Sequence, residues 1–387
     1  MNIARIAPLA YSPGKLEYFS FIRGGIGADY HQNPEFYIFP NNDLLMIWSA
    51  YDFDECSNDG ILLYSISTDR GMTWTNPQVY LADHSSGRMN LRLLRLRNTS
   101  RALMFVTCML MDEIQVDPNR RVVTAHSNYF KCRSRFYLRQ STDGGRSFEY
   151  GQELAYQQIT GGRELPGLGC FGMLDQVMEL ANGRIVAAFS FLDPARSDLQ
   201  GSGFASQHWT AVCLYSDDQG QSWKRGGEIH ADIRLGVSEV QLVEAAPNQL
   251  FCLFRTTSGF IYQTHSEDGG ESWAVSGPSA LPSPESMSRM IKLHSGNLLV
   301  VWNNISSTSQ HPRHPLSAAI SQDHGKSWGE PRMIADETGT HQLSNHGVVQ
   351  LDDGRIVLAI SHYHDTRPMS SDLDVAIFDE QWLLHQR

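Results

Sequence analysis

Fifteen histidines are the most conspicuous reactive side chains of this 387-residue chain. Nine of them, His31, His126, His208, His311, His314, His341, His346, His362 and His364, fall in segments that read as loops or strand beginnings. Imidazole titrates near neutral pH, so such a group suits proton transfer, although histidine is also at home in ordinary loops. No His or Cys spacing specifies a metal, and nothing calls for a metal or any other cofactor. Glu239 stands out among the carboxylates. It opens the apolar run VSEVQLVEAA, where an unpaired carboxylate is costly, which favours a working group over a solvated charge.

A repeat dictates what must position these residues. Five octapeptides share the pattern S-x-D-x-G-x-[ST]-[WF]: STDRGMTW (67–74), STDGGRSF (141–148), SDDQGQSW (216–223), SEDGGESW (266–273) and SQDHGKSW (321–328). The Asp carboxylate holds a tight turn by accepting from backbone N–H groups ahead of it. The Gly supplies a backbone angle that a Cβ disfavours, and the aromatic ring anchors the turn against a sheet. One octapeptide is common turn chemistry; five, each after a short apolar strand, define a repeat architecture.

Between the octapeptides runs a second repeat of strand, turn and strand. Its copies are FYIFPNNDLLMIW, VMELANGRIVAAF, VQLVEAAPNQLFCLF, MIKLHSGNLLVVW, VVQLDDGRIVLAI and the less regular LRLLRLRNTSRALMFV. Their second strands start near Leu44, Ala102, Ile185, Leu250, Leu298 and Ile356, at intervals of 58, 83, 65, 48 and 58 residues. Each interval holds four strands and their loops, so the expected fold is all-β, a six-bladed β-propeller forming one domain over residues 1–387. The sixth copy lacks an octapeptide. Its last strand reads DLDVAIFDEQWLL, and the segment 3–22 is expected to complete that blade and close the ring.

Strand parity then separates two faces. The octapeptides, between third and fourth strands, lie on a back face as scaffold. The front face gathers the starts of the first strands and the loops at about 49–60, 107–134, 190–208, 255–259, 303–314 and 361–371, where the nine histidines lie.

The octapeptides, their number and the blade grammar resemble the sialidase (neuraminidase) superfamily, above all bacterial sialidase-like proteins with BNR repeats, or Asp boxes. RHPLSAAISQDHGKSW and the terminal FDEQWL share that look. The resemblance implies an exo-α-sialidase-like glycoside hydrolase: three arginines on the sugar carboxylate, a Tyr nucleophile activated by a Glu, and an Asp as acid/base. Glu239 resembles the activating Glu, Arg255 the second arginine and Arg313 the third. The acid/base Asp belongs in the first front loop, which offers Asp52, Asp54 and Asp59, with Asp54 and Asp59 as candidates. Two positions depart from the family pattern. The first-arginine position reads His31-Gln32-Asn33-Pro34-Glu35, and the tyrosine position reads Ser344-Asn345-His346. The expected site is therefore modified, with His346 among the catalytic groups and His31 and Asn345 among the substrate-binding ones. The loop tyrosines Tyr129 and Tyr363 are possible substitutes for the nucleophile.

Three functions compete: a sialidase-like glycosidase on an acidic sugar, a polysaccharide lyase on a uronate-containing glycan, and a glycan-binding propeller without chemistry. The net charge of -11 argues against a nucleic-acid partner, despite the arginines from Arg88 and Arg92 through Arg120, Arg121, Arg133 and Arg135 to Arg146. No run of about 18 apolar residues suggests a membrane span. The N-terminus shows no signal-like apolar region, and six scattered cysteines read as reduced, so a cytoplasmic setting is expected. Nothing in the sequence fixes an oligomeric state.

Overall fold

A computed structural model describes residues 11–52, 60–82, 87–111, 116–117, 122–123, 129–165, 169–201, 206–338, 341–364 and 370–385. Six antiparallel blades form a propeller. Their innermost strands are Tyr30–Ile38, Gly87–Arg95, Gly172–Glu179, Ser238–Ala246, Arg289–Lys292 and Gln342–Gln350, for blades one to six in that order. Each inner strand touches the next around the ring, and the last touches the first. The second strands begin at Leu44, Ala102, Ile185, Gln249, Leu298 and Ile356, where the turn and apolar pattern place them.

Closure comes from the N-terminal segment. Strand Glu17–Ile22 pairs antiparallel with Ser370–Phe378 and becomes the outer strand of blade six. The reading of DLDVAIFDEQWLL as one strand is corrected. The strand stops at Phe378, and Asp379 caps a short helix, Glu380–Leu384, by accepting from the Trp382 amide at 2.8 Å.

The core lies in six inter-blade seams, each with an apolar cluster, and blades two and three share a second one around Met109, Cys132, Phe171 and Trp209. The Asp-box turns sit in five of the seams. In each, the box Ser hydroxyl accepts from the box Gly amide, as Gly71 N to Ser67 Oγ at 2.8 Å and Gly325 N to Ser321 Oγ at 2.8 Å. The Asp carboxylate binds the Ser or Thr four residues on through both amide and hydroxyl. Those bonds hold the Asp323 and Asp218 carboxyls down at about 2.

The box glycine, with φ between the 85° of Gly145 and the 93° of Gly270, lies against the preceding blade. A Cβ on Gly145 would meet the Tyr37 hydroxyl at 2.5 Å, and one on Gly325 the Phe251 ring at 2.5 Å. The repeat is thus inter-blade cement. The seam between blades five and six receives no box; there Trp382 and Leu383 of the C-terminal helix join Leu293, Ile320 and Phe378. The box rings are not equally enclosed: Trp74 is buried, whereas Phe148, Trp223, Trp273 and Trp328 are half-buried.

Candidate active site

The inner strands carry polar side chains where their outer neighbours carry apolar ones, and these meet at the axis. Arg92 of blade two donates from Nε to the Asp175 carbonyl of blade three at 2.8 Å and pairs with Glu35 of blade one at 3.0 Å. Arg289 of blade five donates to the His346 carbonyl of blade six at 2.7 Å and to Gln241 of blade four at 3.4 Å, and lies 3.9 Å from Glu35. One residue from every blade thus takes part in an axial polar girdle. Both arginines are buried. Burial first, then the neighbouring Arg92 charge, lowers the Arg289 pKa to about 10, which still leaves it charged at neutral pH.

On the front side the inner strands bulge. Register shifts at Gln32/Glu35, Ser238/Gln241 and Ser344/Gly347 coincide with left-handed non-glycine residues: Asn33 at φ 52°, Glu239 at φ 53° and Asn345 at φ 46°. A bulge re-aims the side chain it carries. Asn tolerates this conformation, but for Glu239 it is a strained one that costs on the order of 1–3 kcal/mol. Its surroundings hold it there. The Glu239 amide faces Ser190 Oγ at 3.4 Å, and the next amide, Val240, donates to Asp175 Oδ2 at 3.1 Å. Asp175 also accepts from Ser190 Oγ at 2.8 Å. Burial drives the Asp175 carboxyl up to about 7 against these bonds.

Glu239 and Arg255 are brought together. Arg255 Nη1 donates to Glu239 Oε2 at 3.0 Å and Nη2 to Glu285 Oε1 at 3.1 Å. Glu285 is buried, and Arg234 approaches its other oxygen at 3.8 Å. Burial opposes the Arg255 charge, yet the two carboxylates outweigh it and push its pKa above the ordinary arginine value. Its guanidinium is therefore already committed between two acids. The loop 303–315 of blade five connects this group to Arg313: the Glu285 amide donates to the Ser309 carbonyl at 2.9 Å, and Arg313 Nε to the Gln310 carbonyl at 3.1 Å. Arg313 is largely buried, and its carbonyl receives the Leu343 amide of blade six at 3.0 Å.

Asn345 lies at the mouth of blade six and donates to the Tyr363 hydroxyl at 2.8 Å. The two histidines expected beside it do not line an open pocket, which corrects the sequence expectation. His346 is fully buried, with Nε2 against the Val301 carbonyl of blade five at 3.0 Å, and burial lowers its pKa to about 3. His31 is fully buried, accepts from Trp48 Nε1 at 3.0 Å on Nδ1, and burial lowers its pKa to about 4. A bulge places Asn345 at the mouth, so the residue after it turns into the seam. Asp54 and Asp59 lie outside the described residues, as does His126.

Glu285, Asp175, Arg92 and Arg289 are the functional-site residues that the motif reading passed over. One signal marks them all: a charge just before or inside an apolar first strand, as in SPESMSRMIKL, GMLDQVMEL and LRLLRL.

The fold and its repeats define a class. The chain belongs to the BNR repeat-like domain family, which it matches over residues 42–358. Among solved structures it is similar to a Hadza microbial sialidase, Hz136, with 15% identity over 95% of this chain and 69% of that one, at a TM-score of 0.70. An intramolecular trans-sialidase from Ruminococcus gnavus is similar at 16% identity, 93% and 96% coverage and a TM-score of 0.66. A protein of unknown function from Dyadobacter fermentans is similar at 17% identity, 95% and 100% coverage and a TM-score of 0.71. At these identities the likeness is one of fold. No curated protein matches the sequence.

Proposed function

We propose that this propeller is a sialidase-like glycoside hydrolase with a modified site on its front face, acting on an acidic, sialic-acid-like sugar. The observation that carries the reading is Glu239: a glutamate held at φ 53° on a bulge, its carboxylate anchored by Arg255. Strain of this kind at a cleft residue is retained where geometry matters more than stability. Glu239 serves as the carboxylate that activates the nucleophile, and Arg255 positions it. Arg313 supplies charge for the sugar carboxylate, since its guanidinium is held at the loop that joins the Glu285 group to blade six and can bind a carboxylate through two parallel N–H bonds. Tyr363 at the blade-six mouth, bonded to Asn345, is the proposed substitute nucleophile. Its neutral hydroxyl avoids the repulsion that a carboxylate would meet beside an anionic sugar.

The enclosure of His31 and His346 favours a second reading, glycan binding without turnover, because neither imidazole reaches solvent to replace the missing tyrosine. A panel of sialosides and uronate polymers separates the possibilities. Release of free acidic sugar, abolished in Glu239→Gln with binding retained, supports the hydrolase. An unsaturated, ultraviolet-absorbing product marks a lyase. Saturable binding with no product from any substrate leaves the binding propeller.

A further inference from the structure

A separate group of side chains lies at the front end of the seam between blades five and six. His362 and His364 are two apart on the strand Ile356–His364, so they share a sheet face. Gln342 pairs with Tyr363, which sets the preceding residue, His341, across from His364 on that face. The three rings meet: centroids are 4.4 Å apart for His362 and His364, 5.5 Å for His341 and His364, and 6.3 Å for His341 and His362. One ligand nitrogen from each lies within 4.8 Å of the other two.

The groups behind the rings are those that orient metal ligands. His362 Nδ1 lies 3.0 Å from Asp374 Oδ2, which also accepts from the Tyr18 hydroxyl at 2.6 Å. His364 Nε2 lies 2.9 Å from Asp372 Oδ2, and the Gly24 amide holds the other Asp372 oxygen at 2.8 Å. A carboxylate on one ring nitrogen fixes the tautomer and leaves the other nitrogen as a lone-pair donor. On the open side, Glu337 Oε1, just beyond the last strand of blade five, lies 3.1 Å from His362 Nε2. Nδ1 of His341 is buried without a hydrogen-bond partner, a state that costs about 1–3 kcal/mol unless something occupies it, and Glu337 is the one group facing Nε2 of His362 among the described contacts.

One bound cation would engage a nitrogen of all three imidazoles at once. We propose that His341, His362 and His364 bind one zinc ion, with the Glu337 carboxylate as the fourth ligand. Three neutral nitrogens and one carboxylate suit a borderline divalent ion with tetrahedral preference, and small ring rotations bring the nitrogens to bonding distance. Ligands from both blades make the ion a clamp across the one seam that lacks an Asp box. Its ligands His362 and His364 flank Tyr363 on the same strand but lie on the opposite sheet face, so the zinc site does not rest on a role for that tyrosine.

The test uses the full chain stripped with chelator and titrated with zinc chloride by calorimetry, with cobalt(II) as a spectroscopic substitute. One equivalent binds, cobalt gives the intense visible bands of tetrahedral coordination, and zinc raises the melting temperature of the stripped wild type. His364→Ala and His341→Ala lose at least tenfold in affinity, and each melts at the same temperature with and without zinc. Asp374→Asn, which keeps all four ligands, loses about 10–100-fold. His265→Ala, an exposed histidine of blade four, binds as wild type does. Wild type without a one-equivalent site, or histidine variants that bind zinc unchanged, would overturn the proposal; the wild-type titration needs no variant to fold.

Discussion

Arg255 Nη1 lies 3.0 Å from Glu239 Oε2, and the same guanidinium reaches Glu285 with its other terminal nitrogen. One cation therefore compensates two acids at the edge of a buried site. Arg255→Ala takes the close partner from both, leaving Glu285 only the Arg234 contact at 3.8 Å, and should cost about 3–5 kcal/mol of stability, read by urea unfolding. Glu239→Gln keeps a hydrogen-bonding partner for Arg255. It should fold near wild-type stability and lose turnover while its ligand affinity changes only a few-fold.

Arg313 is proposed to read the charge of the sugar. Arg313→Ala should weaken an acidic sugar by about 10- to 150-fold, equivalent to about 1.5–3 kcal/mol for a charge-assisted bond. The neutral sugar analogue should bind both proteins alike. Calorimetry with the matched pair of ligands checks this, and equal losses for both would point to a folding defect instead.

Gly325→Ala drives a Cβ into the Phe251 ring at a backbone angle of φ 89°, whereas Gly354→Ala at φ 87° meets open space. The first should destabilise well beyond the roughly 1 kcal/mol of the second, which reflects backbone strain alone. Among the box rings, Trp74→Ala should cost about 3–5 kcal/mol because that ring is buried. The half-buried Trp273 and Trp328 should cost about half as much. Thermal or urea unfolding ranks all five variants.

Asp175 supplies a pH dependence whose sign is fixed. Its folded pKa of about 7 lies above the usual 3.8, so its contribution is fully present below about pH 4 and is lost as the pH rises through 7. Asp175→Asn should flatten that loss, on the order of 2–4 kcal/mol, in unfolding curves taken from pH 4 to 8. His346 at about 3 and His31 at about 4 act oppositely. Their folded values lie below 6.5, so stability present above 6.5 is lost as the pH falls toward 4 and 3. Where the windows overlap, from about pH 4 to 6.5, the two histidines outweigh the one carboxyl, so wild-type stability should peak near pH 6.5, and Asp175→Asn should remove the decline above that peak.

The blades were legible in the sequence because their grammar is local. Five octapeptides each close their own turn with a Ser, an Asp and a Gly, and six strand–turn–strand copies alternate within a dozen residues. Local spacing therefore located the second strands to within a residue, from Leu44 to Ile356, and parity set Glu239 and Arg255 at the same end of blade four, where they bond. The C-terminal FDEQW was misread as strand for a local reason too: only the Asp379 cap, set where blade six ends, turns that apolar run into a helix. Which side chains meet was decided by ring closure. Arg92 and Arg289 share Glu35 although they come from blades two and five, and no spacing along the chain encodes that approach. The fate of His346 turned on a single bulge at Asn345, which sends one residue to the mouth and the next into the seam against Val301. Side-chain direction alternates residue by residue along a strand. A one-residue shift, which only packing between blades can fix, thus separates a group bonded to Tyr363 at the blade mouth from one sealed between blades.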